Sequence, residues 1–577
     1  MKGWMKITLL VIVIFIAVGS FYYLLYESMF RGVSRISQES YLELNIFGNV
    51  PEREPVNLFS QIFTGSVPSL EGLLHCIKKA KIDDKIVGII LKPYAGSIGW
   101  AKVEELREAL LDFKSTGKPI YVYLELAGNR EYYLSTVGDL IFGSPTGTVF
   151  INGLLGSGYY VKGTLEKIGI EADFIAHGKY KSAPEIFTRK RMSDAQREVV
   201  NAILDDFDQR YKSCIAESRN LPIEIVNEII DRGLFTLEEA YQAKLIDTLL
   251  YFNEFLDFLK KKENRRRIRR VSYNHYKKIP YQKFGIKPRK YIALIYGIGS
   301  IVTGIGADIT QDGLITSESM AQNIRNAAKD KRIKAIVLRV NSPGGSGTAS
   351  DIIWREVVEA KKKKPVVVSM SDVAASGGYY ISMAADSIVA QPSSIVGSIG
   401  VFAGKFSFKG LYEKLGIHKD EIPRARNADL FSEVNKFRKD QRRLITENIN
   451  DFYHIFVSKA AEGRHMTYEE IDKIAQGRIW SGNQAIKNGL IDKLGGLSEA
   501  IQIAKKMAGI PTDEYVQLIV YPRKRTFLEK LLSGGIDVKT NSLLELLPKG
   551  VQSYFKGFLF FRDYEPLTLL PFYLEIQ

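Results

Sequence analysis

The chain has 577 residues, of which 45% are hydrophobic and 25% are charged. These fractions are average for globular proteins, and the length suits two or more domains of about 100–200 residues each. The composition therefore argues against a disordered chain and against a multi-span membrane protein. Only two cysteines occur, Cys76 and Cys214, so the sequence offers neither a disulfide framework nor the spacing of a metal site. No cofactor and no metal are expected.

An apolar stretch near the N-terminus is the first predicted element. Ile7 to Leu25 contains no charged residue, and at 1.5 Å per residue it is long enough to cross a bilayer core of about 30 Å. A cleavable signal peptide is the alternative, since Ala17-Val18-Gly19 resembles a cleavage site, but the stretch exceeds the usual apolar region of such peptides. We therefore predict one transmembrane helix over 7–25. The lysines before it and the arginines after it do not fix its orientation.

An internal repeat with an offset of 247 residues organises the rest of the chain. Residues 336–339 (IVLR) align with 89–92 (IILK), and the tyrosine pair at 379–380 aligns with the pair at 132–133. The match continues to the far end of each copy, at the slightly smaller offset of 245. A repeat of this length predicts two copies of one domain.

Each copy alternates short β-branched runs with helical patterns, such as the runs 335–340 and 365–370 around the pattern 349–363. Strands that alternate with helices favour βαβ units with right-handed crossovers around a mainly parallel sheet. The predicted fold class is therefore α/β, with two tandem domains. The predicted segments are an N-terminus with the anchor (1–38), an N-terminal repeat (39–258), a basic linker (259–290), a C-terminal repeat (291–510) and a C-terminal extension (511–577).

The formal net charge of +15 is concentrated in the predicted linker, in the runs 260–262 and 265–270. A basic patch can bind nucleic acid or anionic lipid headgroups. No nucleic-acid-binding motif surrounds these runs, and no aromatic stacking residues are interleaved with them. A solvated connection between domains is the favoured interpretation, and no nucleic-acid partner is expected.

Two glycine-rich loops follow strands of the second copy. Residues 341–347 (NSPGGSG) offer backbone N–H groups without obstructing side chains, and they lack the Lys-Ser/Thr pair that closes a phosphate-binding loop. Residues 374–378 (AASGG) place Ser376 among small residues, which suits a nucleophile that must approach a carbonyl within about 3–3.5 Å. A tight turn and a helix N-cap are the structural alternatives. Together the loops favour a nucleophile beside an oxyanion-binding loop.

A nucleophilic serine needs a base, and the six histidines are poorly placed to provide one. The repeat points to Lys181 instead. Ser376 aligns with Asn129 of the first copy, whereas the window 421–430, which corresponds to the region of Lys181, contains no lysine. This complementary loss favours one composite site between the domains, where burial would lower the pKa of the lysine until it can accept a proton. Lys179 is the nearby alternative.

These motifs resemble the signal peptide peptidase A family, also called protease IV, in its long two-repeat form. The resemblance covers nearly the whole chain and rests on several motifs in the same order. These motifs are the segments 180–183 (YKSA), 341–345 (NSPGG), 374–380 (AASGGYY), 397–400 (GSIG) and 477–492. The resemblance implies a fold like that of the Clp protease and the crotonases, and a serine endopeptidase that degrades cleaved signal peptides.

By this resemblance Ser376 attacks the peptide carbonyl to form an acyl-enzyme, and Lys181 acts as the general base and then the general acid. The N–H groups of Gly345 and Gly377 would form the oxyanion hole, and Ser398 would orient the lysine. The family also implies a homotetramer on the periplasmic or extracytoplasmic face of the cytoplasmic membrane. One membrane span would anchor each chain in the lipid.

Two other functions are compatible with parts of the sequence. A crotonase-type acyl-CoA enzyme would share the fold, but it would need an acidic catalytic residue near the glycine loop. A catalytically inactive membrane scaffold would use the repeats only for assembly, and the intact motifs around Ser376 and Lys181 argue against it. The protease is the preferred prediction.

Overall fold

A computed structural model describes residues 36–54, 67–285, 288–304, 313–522 and 566–570, together with residues 13, 16, 19, 20, 575 and 576. Most of the predicted anchor at 7–25 lies outside these residues. Among the residues that are described, no helix combines the length and the apolar character needed to span a bilayer.

The first repeat is built around a seven-stranded sheet with the order β7-β4-β3-β2-β1-β9, in which β8 pairs with β4. Its strands, with two short strands outside this sheet, are β1 (Ser40–Gly48), β2 (Ile86–Gly96), β3 (Ile120–Ala127), β4 (Leu140–Ile151), β5 (Gly156–Ser157), β6 (Glu171–His177), β7 (Gly233–Thr236), β8 (Thr248–Leu249) and β9 (Arg269–Ser272). Its helices are α1 (Leu70–Ile82), α2 (Trp100–Lys114), α3 (Asn129–Ser135), α4 (Lys162–Ile168), α5 (Glu185–Thr188), α6 (Asp194–Arg219), α7 (Ile223–Arg232), α8 (Leu237–Gln242), α9 (Phe252–Lys262) and α10 (Tyr273–Tyr276), followed by a 3-10 turn (Tyr281–Phe284).

The second repeat is built around an eight-stranded sheet with the order β19-β17-β15-β13-β10-β21, in which β16 pairs with β15 and β20 pairs with β16. The strands from here to the C-terminus are β10 (Lys290–Ile298), β11 (Ser300–Val302), β12 (Leu314–Thr316), β13 (Ile333–Ser342), β14 (Gly344–Ser346), β15 (Val366–Ala375), β16 (Ser387–Ala390), β17 (Ile395–Gly397), β18 (Val401–Ser407), β19 (Ile479–Ser481), β20 (Lys493–Leu494), β21 (Val516–Tyr521), β22 (Leu567–Leu569) and β23 (Glu575–Ile576). The helices are α11 (Ser317–Lys329), α12 (Gly347–Lys361), α13 (Gly377–Tyr380), α14 (Lys409–Leu415), α15 (Lys439–Arg464), α16 (Tyr468–Ile474), α17 (Gly482–Lys487) and α18 (Leu497–Met507).

The two repeats have a similar order of elements, and equivalent hydrogen bonds occur within each of them. The predicted α/β repeat is therefore confirmed. The central strands β2 and β13 start 247 residues apart, and both are apolar runs buried between layers of helices, as parallel strands require. In each copy an aspartate accepts a hydrogen bond from the start of the strand that precedes it. Asp139 accepts from the N–H of Ile120 at 2.8 Å, and Asp386 accepts from the N–H of Val366 at 2.8 Å.

The segment predicted as a basic linker extends the first sheet rather than running free between the domains. Strand β9 pairs with β1 in parallel, and the following side chains of Tyr273 and Tyr276 are buried. The buried ammonium of Lys79 donates hydrogen bonds to the carbonyl oxygens of Tyr276, Lys277 and Ile279. Because a buried cation needs such partners, the segment is fixed to the first repeat.

A buried cluster of charged side chains joins the two repeats. The guanidinium of Arg339, on β13, is fully buried and lies 2.9 Å from Glu52 and 2.7 Å from Glu105 on α2. Lys102 adds a second cation at 3.7 Å from Glu52. Burial alone would raise the pKa of the Glu52 carboxyl, but Arg339 and Lys102 hold that pKa below its ordinary value. Glu52 is therefore ionised with a counter-charge, Arg339, from the other repeat, whereas burial raises the pKa of the Glu105 carboxyl.

We predict that Arg339→Met lowers the free energy of unfolding by about 3–5 kcal/mol, because it removes the guanidinium that contacts the two buried carboxyl groups of Glu52 and Glu105. Urea unfolding followed by circular dichroism measures the change. The matched control is Arg332→Met, which removes an exposed ion pair with Asp330 and should cost at most about 1 kcal/mol. Equal effects of the two substitutions would contradict the proposed role of the cluster.

Candidate active site

A sheet that crosses from one repeat to the other brings the predicted site residues together. Strand β6 of the first repeat pairs antiparallel with β18 of the second, from His177 opposite Val401 to Glu171 opposite Ser407. The chain then turns at Gly178, and the N–H of Tyr180 donates to the carbonyl of Gln476 at 2.8 Å. This path delivers the next residue of the first repeat, Lys181, into the second repeat.

Ser376 lies at the sharp turn between β15 and α13. Its backbone has φ 55° and ψ −113°, a conformation that costs a residue other than glycine of order 1–3 kcal/mol. The turn is held by hydrogen bonds from the Ser376 N–H to the Gly397 carbonyl at 2.7 Å and from the Tyr380 N–H to the Ser376 carbonyl at 2.8 Å. The side chain is 0% exposed and forms no capping hydrogen bond with the helix. Ser376 therefore stands at the N-cap position, but its hydroxyl does not cap the helix and is available to another partner.

That partner is Lys181, whose Nζ lies 2.8 Å from Oγ of Ser376. The same nitrogen also lies 3.0 Å from Oγ of Ser398, 3.3 Å from the Ser398 carbonyl and 2.5 Å from the Leu569 carbonyl. All four partners are neutral oxygens, and Lys181 is 4% exposed. Burial lowers the pKa of Lys181 well below its ordinary value of 10.5. A neutral amine has two N–H donors and one lone pair, so it can donate to Leu569 and Ser398 while accepting the proton of Ser376.

Glycines allow the backbone of the second repeat to surround Lys181 closely. Gly477 has φ +77°, and a Cβ at this position would lie 2.5 Å from the backbone nitrogen of Lys181. A Cβ on Gly400 would lie 3.2 Å from Cδ of Lys181. The packing therefore fixes both the backbone and the side chain of the lysine.

The two predicted glycine loops touch each other beside Ser376. The N–H of Gly344 donates to Oγ of Ser342 at 3.2 Å, and Oγ of Ser342 donates to the Gly299 carbonyl at 2.6 Å. A Cβ on Gly377 would lie 3.0 Å from Cα of Gly344, and a Cβ on Gly344 would lie 2.7 Å from the nitrogen of Gly377. Gly345 follows with φ +158°. Gly344 and Gly377 therefore lie against each other, whereas a Cβ on Gly345, the other glycine predicted for an oxyanion hole with Gly377, would meet the backbone of Ile301.

A short segment of the predicted C-terminal extension completes the site. The sequence did not predict this contact. Strand β22 pairs antiparallel with β14 and contacts β18 at Phe402. Its Leu569 carbonyl is the fourth partner of Lys181. The extension contains apolar clusters, but no spacing in the sequence connects it with residues nearly four hundred positions earlier.

The alternative base, Lys179, does not take part in this arrangement. Its side chain is 64% exposed and lies 3.5 Å from Glu198, and its Nζ donates to the hydroxyl of Tyr180 at 3.0 Å. The nearby His177 stacks on Tyr453 with ring centroids 3.9 Å apart and lies 2.7 Å from Asn450. Neither side chain is a hydrogen-bond partner of the serine, whereas Nζ of Lys181 is.

A buried serine beside an amine of lowered pKa, next to a glycine-rich loop, has the parts of a serine hydrolase. The family model described as peptidase family S49 matches residues 112–266 and 359–511, once in each repeat. The chain belongs to peptidase family S49 and is a serine protease. The family resemblance noted in the sequence is thereby confirmed.

Individual relatives agree with this assignment. The chain is 35% identical over 539 residues to the chloroplastic serine protease SPPA of Arabidopsis thaliana, covering 91% of this chain and 79% of that one. It is 32% identical to Protease 4 of Salmonella typhi, covering 89% and 84% of the two chains. A solved structure of ClpP1 from Listeria monocytogenes aligns with 35% of this chain and 89% of its own, at 17% identity and a TM-score of 0.22.

We predict that Gly477→Ala reduces kcat/KM for a peptide substrate by about 100-fold, because displacing Lys181 by about 1 Å misaligns the pair. Gly509→Ala is the matched control, since Gly509 also has a positive φ (+65°) but a Cβ there would meet nothing within 4 Å. Both variants carry the same type of backbone strain. Similar activities for the two, measured on folded protein, would contradict the role assigned to Gly477.

Proposed function

We propose that this protein is a membrane-anchored serine endopeptidase that hydrolyses signal peptides through a Ser376–Lys181 dyad. The observation that carries the proposal is the 2.8 Å contact between Nζ of Lys181 and Oγ of Ser376, with both side chains buried. A lysine can serve as a base near neutral pH only when its charged form is disfavoured, and burial does that here.

In the proposed reaction, Oγ of Ser376 attacks the carbonyl carbon of the substrate while its proton moves to the lone pair of Lys181. The C–O bond forms, the carbonyl becomes an oxyanion, and the N–H groups of Gly345 and Gly377 stabilise that negative charge. The lysine ammonium then gives its proton to the leaving nitrogen as the C–N bond breaks. Water then attacks the acyl-enzyme while Lys181 takes its proton, and the ester C–O bond breaks as Lys181 returns the proton to Oγ of Ser376.

Ser398 is proposed as a positioning residue. Its hydroxyl and its carbonyl both lie within hydrogen-bond distance of Nζ of Lys181. Its backbone has φ 54°, a conformation that aims both oxygens at the same nitrogen. With one N–H donated to Ser398 and the other to Leu569, the lone pair of the amine is left for Ser376, which favours proton transfer from the serine.

Apolar peptides are the proposed substrates. Ala183, two residues after Lys181, packs in an apolar cluster with Phe402, Leu567, Leu569 and the partly buried Phe174, and apolar surroundings of this kind suit the apolar core of a signal peptide. The family resemblance implies the same substrate class. The proposal includes the anchor over 7–25, both repeats on the extracytoplasmic side of the cytoplasmic membrane, and assembly into a homotetramer.

We predict that Ser376→Ala and Lys181→Met each reduce kcat/KM for an internally quenched, leader-like apolar peptide by at least about 100-fold, as loss of a nucleophile or a base should. Lys179→Met is the matched control, because it removes a neighbouring lysine that is exposed, and it should retain most of the activity. Far-ultraviolet circular dichroism checks folding. Wild-type rates in either dyad variant would refute the dyad.

The pH dependence of kcat/KM should follow the protonation of Lys181. Below its pKa in the folded protein Lys181 is protonated and cannot accept the serine proton, so kcat/KM should fall as the pH falls. Because burial lowers that pKa, the rise in activity with pH should have its midpoint well below 10.5. Initial rates with a peptide that has no ionisable side chain measure the profile. A midpoint near 10.5, or an inverted profile, would contradict a buried lysine base.

A further inference from the structure

A pocket with a basic lining lies on the first repeat and shares no residue with the proposed active site. The residues before β1, together with β1, α9, β9 and α10, contribute to its walls, and its volume is about 750 Å³. This volume falls within the usual range of ligand pockets, about 300–1,000 Å³. The pocket is therefore large enough for an organic ligand.

Cationic side chains dominate the charge of this pocket. Lys260, Arg267, Arg269 and Arg270 line it, whereas Glu43 is the one carboxylate among the lining residues that the structure describes. Glu43 lies 2.9 Å from the Arg270 guanidinium, so it balances a single one of the four cations. The remaining excess of positive charge favours an anionic ligand.

Two of the arginines are available to such a ligand. Arg267 and Arg269 are exposed, and within the described ranges neither forms an ion pair with a carboxylate. Arg269 donates a hydrogen bond to the Gln38 carbonyl at 3.0 Å. Lys260 differs, because it pairs with Asp257 at 2.5 Å. A guanidinium can bind two phosphate oxygens at once, so both arginines can hold a phosphate without breaking an ion pair.

The lining also contains apolar surface that a phosphate ion alone would not contact. Ile36 and Leu256 line the pocket, and each is only partly buried by the hydrophobic core beside it. Among the described residues, no Phe, Tyr or Trp side chain lines the pocket, so it lacks the stacking surface on which single-stranded nucleic acids rely. Cations next to aliphatic side chains suit an amphipathic anion such as an acidic phospholipid.

The pocket is close in sequence to the predicted anchor. Ile36 is eleven residues beyond Leu25, where the uncharged apolar stretch ends. Eleven residues span at most about 40 Å even when fully extended, so an anchor over 7–25 would keep the pocket near the bilayer. Residues 260–270, which supply the four cations of the lining, carry eight cationic side chains and one acidic side chain. Basic clusters beside a membrane span are typical of segments that bind anionic lipids.

We propose that this pocket binds the phosphate of an anionic phospholipid in the membrane that anchors the protein. Arg267 and Arg269 bind the phosphate oxygens, and Ile36 and Leu256 contact the adjoining apolar part of the lipid. The bound lipid holds this face of the first repeat against the bilayer. The inference rests on the anchor of the proposed function, which brings the pocket to the lipid, and it does not use the dyad.

The test uses the full chain in nanodiscs of phosphatidylcholine, with or without about 30% phosphatidylglycerol as the anionic lipid. Hydrogen–deuterium exchange followed by mass spectrometry reports on the amides of residues 266–275. We expect phosphatidylglycerol to slow their exchange at least about threefold, because a bound ligand suppresses opening of its site. The Arg267→Gln/Arg269→Gln variant should lose this effect.

The matched control is the Lys261→Gln/Arg266→Gln variant. It removes the same charge from two exposed side chains of the same segment that do not line the pocket. It should therefore keep the effect of phosphatidylglycerol. Equal loss of the effect in both variants would show that the lipid acts through net charge alone, and it would overturn a defined pocket.

Soluble anions identify the source of the phosphate. Glycerol 1-phosphate, inorganic phosphate and a short RNA are each added, in excess over the protein, to the full chain in phosphatidylcholine nanodiscs. None of them should slow exchange of residues 266–275 as far as phosphatidylglycerol does. If one of them reproduces the full effect, the pocket binds a soluble anion and its assignment to lipid is wrong.

The outcomes separate this proposal from the proposed function. If the chain stays in both kinds of nanodisc but phosphatidylglycerol changes nothing, the lipid pocket is refuted and the anchor stands. If the chain binds only the nanodiscs with phosphatidylglycerol, and does so through Arg267 and Arg269, the anchor is wrong and the pocket is supported. Binding to neither membrane overturns both.

Discussion

Burial of Lys181 is the constraint on which the rest of the site depends. Its amine must lose its charge to act as a base, and removal from water is what lowers its pKa. The first repeat cannot bury this side chain by itself, because the oxygens and glycines around it belong to the second repeat and to the C-terminal segment. The contact between repeats is therefore a chemical requirement of the proposed mechanism as well as a structural one.

Because Lys181 of the first repeat must stay buried in the second, the two repeats must be held firmly together. The antiparallel pairing of β6 with β18 and the buried cluster around Arg339 hold the two units in one relative position. A rigid frame also sustains the unfavourable backbone conformations of Ser376 and Ser398, which persist only where the surrounding structure determines them. The two repeats are thus similar in fold, but the first contributes Lys181 and the second contributes Ser376 to one proposed site.

Much of this arrangement could be predicted from the sequence. The repeat, its strands and the turn at Ser376 follow from local patterns, and Lys181 follows from comparison of the two copies. The charged cluster could not be predicted, because Glu52 and Arg339 are 287 residues apart and nothing local marks them as partners. The same holds for Leu569, which is 388 residues from Lys181. Arg269 and Arg270, at the end of the run 265–270, lie in strand β9, so charged side chains that suggest a linker belong in part to an edge strand.

The central claim is that Ser376 is the nucleophile and that Lys181 of the same chain activates it. The most direct measurement is exhaustive reaction of the full chain with a fluorophosphonate, followed by peptide mass spectrometry to locate the adduct. The account predicts one adduct, on Ser376, and none after the same incubation of the Lys181→Met variant. An adduct on another serine, or equal labelling of Ser376 without Lys181, would contradict it.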